Sequence, residues 1–121
     1  MASSDFKKIS VYKKAFDLSM EIFHTSKKFP KEETYSLTDQ IRRSSRSVCA
    51  NLGEAYRKRQ YHAHFVSKIS DSDMENSETQ VWLDYAKACD YITEDTHQDF
   101  IIKREEVGKL LNHMIKYPEK Y

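Results

Sequence analysis

Six basic side chains crowd one short stretch of this 121-residue chain: Arg42, Arg43, Arg46, Arg57, Lys58 and Arg59. A guanidinium carries its donors in a planar fork that matches a phosphate bidentately. At about 100° per residue, Arg42, Arg43, Arg46 and Arg57 fall on the side of a helix away from its apolar seam. Four cations on one rigid face could track a nucleic-acid backbone. The competing reading pairs them with Glu54, Asp39 and the acidic stretch Asp71, Asp73, Glu75 and Glu78, as most charge runs are solvated or paired. Paired carboxylates can do acid–base work. No Gly-rich loop, nucleophile elbow or phosphate cradle accompanies these, so a solvated face or a partner for the basic half is the simpler role.

Metal chemistry finds little purchase. His62 and His64 stand two apart, and i, i+2 positions on a helix face different ways, whereas a helical zinc pair needs i, i+4. His24, His97 and His113 are scattered. A di-iron bundle needs Glu-x-x-His pairs that point into its core, and no such pair is read in the chain. No metal, cofactor or catalytic residue is assigned. Asn51, at the edge of an apolar seam, is either a register-fixing buried amide or an ordinary boundary residue, and Glu54, one turn on, is placed to neutralise an arginine.

The composition limits what can position these side chains. Glycine and proline number two each, far below average usage. Such scarcity argues against an all-β fold, a dinucleotide fold or a loop-built active site. Apolar residues make up 39% and charged residues 32% of the chain, which suits one small helical domain over residues 1–121, with residues 1–10 a flexible N-terminus. No apolar run is long enough to span a membrane and no secretory pattern is read, so Cys49 and Cys89 are expected as reduced thiols in a cytoplasm. The net charge of +1 hides a split: residues 1–60 hold 13 Lys/Arg against 7 Asp/Glu, and residues 61–121 hold 7 against 12. A basic half and an acidic half suit self-association or one basic face for a partner.

Apolar spacing predicts four helices. The first runs from about Val11 to Phe29, stopped by Pro30, with a seam of Val11, Ala15, Leu18, Ile22 and Phe29 and an adjoining flank of Tyr12, Phe16 and Phe23. The second is capped by Ser36, with Asp39 three residues on, and has the seam Leu37, Ile41, Ser44, Val48, Leu52 and Ala55. A turn near Arg57 to Gln60 separates it from the third, about Tyr61 to Tyr91, because one uncapped helix through both would be too long. The seam of the third is Phe65, Ile69, Ser72, Asn76, Thr79, Leu83 and Ala86, polar in its middle. Met74, Val81, Tyr85 and Ile92 form a second stripe on its opposite side. Thr93 caps the fourth, which runs to about Lys116 on Phe100, Val107, Leu111 and Met114. The expected fold is all-α, an antiparallel up-down-up-down four-helix bundle. The wide apolar sector of the first helix and the two-sided third helix exceed what one bundle can bury. Tyr12, Phe16, Phe23, Met74, Val81 and Tyr85 are therefore expected to form an oligomer interface.

Several separated motifs carry a resemblance: Val11-Tyr12-Lys13-Lys14-Ala15-Phe16-Asp17-Leu18, Phe29-Pro30-Lys31-Glu32-Glu33 and Tyr35 through Ser44. It continues through Ser47-Val48, Asn51-Leu52-Gly53-Glu54-Ala55-Tyr56, Phe65-Val66-Ser67-Lys68-Ile69, Glu75, Glu78-Thr79 and Trp82-Leu83. In this order they resemble the bacterial four-helix bundle proteins known as 23S ribosomal RNA intervening-sequence proteins. The resemblance implies a four-helix bundle, commonly a homopentameric ring, with no catalytic residues to carry over. Some relatives are encoded inside ribosomal RNA genes. A related branch, the accessory variability determinant of diversity-generating retroelements, is a basic pentameric barrel that binds nucleic acid and a reverse transcriptase. This chain departs at Cys49, where the family often has Pro, and at Gly53-Glu54-Ala55, where it often has Ala-Glu-Gly. Its near-neutral charge departs from the basic branch. The expectation is a non-enzymatic homo-oligomer that binds RNA or DNA through Arg42, Arg43, Arg46, Arg57, Lys58 and Arg59. The alternative is a structural or protein-interaction module.

Overall fold

The computed structural model describes residues 6–121 and contains four α-helices, with no strand among them. They are α1 (Ser10–Ser26), α2 (Asp39–Arg57), α3 (His62–Ala88) and α4 (Glu94–Lys116). Short 3-10 turns at Phe6–Lys8, Lys31–Glu33 and Pro118–Lys120 complete the chain. Of the residues expected to be a flexible N-terminus, 1–5 lie outside the described ones. Phe6 packs on Gly53, whose missing Cβ would sit 3.4 Å from its ring, so glycine there lets the aromatic ring lie close to α2.

Each helix packs on its neighbour in sequence, and α1 closes the ring on α4. Cross-helix bonds descend one helix as they climb the next. Along α2 and α3 they join Lys68 to Glu54, Ser72 to Val48 and Thr79 to Ser44. Along α3 and α4 they join Asn76 to Arg104, Asp84 to His97 and Lys87 to Glu94.

The core has an apolar layer at each end and a polar one between. One apolar layer gathers Val11, Val48, Leu52, Phe65, Ile69 and Leu111; the other gathers Leu18, Ile22, Ile41, Leu83 and Phe100. Between them lie buried Ser44, Ser45, Ser72, Asn76 and Thr79. The polar middle of the α3 seam is paid for in hydrogen bonds, since an unpaired buried polar group costs about 1–3 kcal/mol. Ser72 Oγ donates to the Val48 carbonyl at 2.7 Å, Thr79 and Ser44 hydroxyls share a bond of 2.9 Å, and Asn76 Nδ2 donates to the Arg104 carbonyl at 3.0 Å. A Cβ on Gly108 would stand 3.2 Å from that amide, so this glycine makes the room Asn76 needs.

The expected seams of α2, α3 and α4 are all buried, and Thr93 caps α4 by accepting from the Thr96 amide. Four expectations need correction. Helix α1 ends at Ser26, not Phe29, since Lys28 and Phe29 bond back to Thr25 and Ser26 in a tightening turn before Pro30. Ser36 caps nothing: it lies inside a π-helical turn, Thr34–Thr38, that leads into α2. The cap is Glu33, whose carboxylate takes the Leu37 amide, the Ser36 hydroxyl at 2.6 Å and the Tyr91 hydroxyl at 2.8 Å. Helix α3 stops at Ala88, where Asp90 takes a positive φ of 63° and turns the chain. That turn carries Ile92 off the outer stripe of α3 and against the Leu18 layer.

Candidate nucleic-acid interface

The basic residues of α2 divide by neighbour. Positions 42 and 46 turn towards α1, and position 43 towards α3. Arg42 is half-buried: its Nε donates to Ser26 Oγ at 2.8 Å, and its guanidinium lies 4.8 Å from the centroid of the Phe23 ring. Arg46 lies 5.5 Å from the same ring and Lys27 Nζ 4.8 Å from it. Three cations therefore gather around one phenyl ring. A ring quadrupole attracts each by about 0.5–1 kcal/mol at exposed sites, but it cannot neutralise them. Arg42 thus belongs to the boundary between α1 and α2 and not wholly to the outer face.

Arg43, Arg46 and Arg57 are exposed, and Lys58 with them. Among the described residues, none of Lys27, Arg42, Arg43, Arg46, Arg57 and Lys58 has a carboxylate within 4 Å. The pairing expected with Glu54 and Asp39 is absent. Glu54 instead takes Lys68 at 2.9 Å, which also reaches Asp71 at 3.7 Å. The hydrogen bond that Lys68 donates to Glu54 leads the effects that hold its ammonium above the usual range. Glu75 is the acidic residue that feels α2: burial and then Glu78 raise its carboxyl, while Arg43 pulls it down. Arg59 is committed within the fold, over the Tyr56 ring at 4.9 Å and bonded to the Tyr121 carbonyl.

Asn51 is a boundary residue, its amide donating to the Ser47 carbonyl at 3.0 Å and accepting from Lys68. Cys49 and Cys89 are free thiols; burial pushes the first up to about 12. His62 and His64 are exposed. One signal escapes the sequence reading: the chain contains two Glu-x-x-His pairs, Glu21 with His24 and Glu94 with His97. The structure turns neither into a metal site. Glu21 takes Lys103 at 2.7 Å, Glu94 takes Lys87 at 2.7 Å, and His97 bonds Asp84 at 2.8 Å. Among the described residues no three His, Cys, Asp or Glu side chains gather as ligands, and no helix is long and apolar enough to cross a membrane.

The residues expected at an oligomer interface lie on two helices that sit diagonally across the bundle. On α1, Phe16 is exposed while Tyr12 and Phe23 are half-buried; on α3, Met74, Val81 and Tyr85 are all exposed. They share the surface with Met20 of α1 and Ile102 of α4, which spacing alone did not single out.

These features define a class: an all-α four-helix protein with an unneutralised cationic helix face. The chain belongs to the 23S rRNA-intervening sequence protein family, whose profile matches residues 7–113. A solved relative of the S23 ribosomal protein family, of unknown function, comes from Bacteroides thetaiotaomicron. It is 30% identical and superposes with a TM-score of 0.80 over 88% of this chain and 95% of its own. No curated protein matches the chain.

Proposed function

We propose that this chain is a non-enzymatic, homo-oligomeric cytoplasmic protein that binds the backbone of RNA or DNA through α2. The observation that supports this is the Phe23 cluster: Lys27, Arg42 and Arg46 within 4.8, 4.8 and 5.5 Å of one ring, with no carboxylate among the described residues to neutralise them. Converging cations repel one another, and a phosphate placed between them removes that cost. Arg43 and Arg57 extend the same field along the exposed face of α2. Backbone contacts of this kind give salt-sensitive binding with little sequence preference.

The test is binding of a fluorescent oligoribonucleotide across a salt series. Wild type should lose affinity steeply with salt, at about 0.7 in log–log slope per phosphate contact for a single strand. Arg42→Glu/Arg43→Glu/Arg46→Glu should abolish binding. Since Arg42 also holds Ser26, Arg43→Glu/Arg46→Glu/Arg57→Glu is the companion variant, with Arg42 left in place. Binding by wild type that is absent or flat with salt would refute the reading.

For assembly, the supporting feature is the pair of apolar stripes on diagonal helices. A contact between the α1 stripe of one copy and the α3 stripe of the next joins unlike surfaces, the geometry that closes into rings, and family resemblance favours five copies. Light scattering should return a multiple of the 14.3 kDa chain; a clean monomer would refute it. The structural alternative draws support from Arg42 and Arg59, whose bonds to Ser26 and Tyr121 serve the fold.

A further inference from the structure

At the end of the bundle where α2 turns into α3, a cavity of 530 Å³ opens beside the last residues of the chain. Its floor is aromatic: Tyr56 and Phe65 meet edge to face, 5.8 Å apart. Its rim carries Arg57, Arg59, Gln60, His62, Glu119 and Tyr121. The volume falls in the range of pockets that enclose a small organic ligand.

The rim groups differ in how far they are already engaged. Arg59 is held in place from two sides, by the Tyr56 ring and by the Tyr121 carbonyl. Tyr121 is itself fixed, its hydroxyl 2.6 Å from His113 Nδ1. The side chains of Arg57, Gln60 and His62 make no hydrogen bond or ion pair among the described residues, yet all three line the same opening. Arg57 also lines the neighbouring groove with Phe6, Tyr12 and Gly53, so one arginine of α2 borders both openings.

We propose that this cavity is a binding site for a nucleoside 5′-phosphate, either free or as the 5′ end of a strand lying along α2. Two guanidiniums and an imidazole suit the phosphate, through the charge-assisted bonds that make Arg the usual recogniser of that group. Glu119 is an acceptor for ribose hydroxyls, a contact that bare inorganic phosphate cannot make. The half-buried ring of Tyr121, which lines the cavity, offers an aromatic surface to the base. The inference deepens the nucleic-acid reading but does not need a polymer to be tested.

The experiment follows the His62 imidazole signals of the full chain by NMR during titration with adenosine 5′-monophosphate, with inorganic phosphate and adenosine as separate arms. The nucleotide should shift those signals saturably, and more tightly than either component alone. Arg57→Gln, at an exposed position, should weaken it about tenfold, the loss expected for one charge-assisted bond. Lys103→Gln, on α4 and outside the cavity, should leave it unchanged. A nucleotide that leaves His62 unmoved, or that binds equally well to Arg57→Gln, overturns the proposal. So does inorganic phosphate binding as tightly as the nucleotide. With the titration positive, tighter binding of a 5′-phosphorylated than of a 5′-hydroxyl oligoribonucleotide assigns the site to a strand end. Equal binding, or no binding of either strand, assigns it to a free nucleotide, and the last result refutes the reading of α2 alone.

Discussion

On its α4 side, helix α1 sets Glu21 2.7 Å from Lys103 and Lys14 3.5 Å from Glu106, and Lys103 is shared with Asp99 at 3.0 Å. On its α2 side, the same helix carries Phe23, whose ring centroid has Lys27, Arg42 and Arg46 at 4.8, 4.8 and 5.5 Å. Both seams are partly exposed and both carry lysines. In one, each ammonium meets a carboxylate, so the seam is electrostatically complete. In the other, positive charge is gathered and left to solvent. A surface that merely keeps a protein soluble disperses its charges. The α1–α2 seam concentrates them, and the proposed anion binding rests on that difference.

The comparison is broken most directly at the ring. Phe23→Leu keeps most of the apolar volume but removes the π system around which three cations gather. It should cost about 1–2 kcal/mol in urea unfolding, as two or three exposed cation–π contacts would. The cost should shrink at high salt, where the repulsion between the cations is screened. An unchanged midpoint would mean that the cations do not lean on the ring. A second measurement asks whether the seam takes an anion. At equal ionic strength, phosphate should stabilise the wild type over chloride by about 1 kcal/mol through binding to the native state. Arg42→Gln/Arg46→Gln should lose the part that belongs to this seam. Lys14→Gln/Lys103→Gln should keep the whole gain. On the completed seam the expected effect is smaller: Lys103→Ala should cost about 0.5 kcal/mol, the usual worth of exposed pairs, and less in salt. If Lys103→Ala proved as costly as Phe23→Leu, the two seams would not differ in kind.

Much of the scaffold was legible because its buried residues repeat at helical spacing. Phe65, Ile69, Ser72, Asn76, Thr79, Leu83 and Ala86 are all buried in the structure, polar members included. Spacing could not tell why serine, asparagine and threonine belong there, since their partners, Val48, Ser44 and Arg104, lie on other helices. The basic face was legible as a cluster but not in its divisions. Arg42 and Arg43 are adjacent in sequence, and a 100° step sends one to Phe23 and the other towards Glu75. Which neighbour waits on each flank is a property of the packing. The end cavity lay further from view, because it is built from residues near 60 and near 120 that no local pattern connects.

Glu33 is the mirror case, a carboxylate that takes no cation among the described residues and is held there by neutral donors. Hydrogen bonds from Ser36 and then Tyr91 lead the causes that hold its carboxyl below the usual 4.5, and the Leu37 amide adds to them against a small cost of burial. The bond to Glu33 also heads the causes that push the Tyr91 hydroxyl from 10.0 up to about 12. The signs follow from linkage. A depressed carboxyl contributes stability that is whole above 4.5 and is lost as pH falls through its lower folded value. A raised phenol contributes stability that is whole below 10.0 and is lost as pH rises through about 12. The contact that ties the turn before α2 to the turn before α4 is therefore intact across the neutral range and fails at both extremes. Glu33→Gln should lower the urea midpoint modestly near neutrality, and the gap from wild type should close on acidification below 4.5. Because no ammonium or guanidinium takes part, that gap should hardly respond to salt, unlike the gap produced by Phe23→Leu. A gap that persists in acid would mean that Glu33 acts through packing and not through its charge.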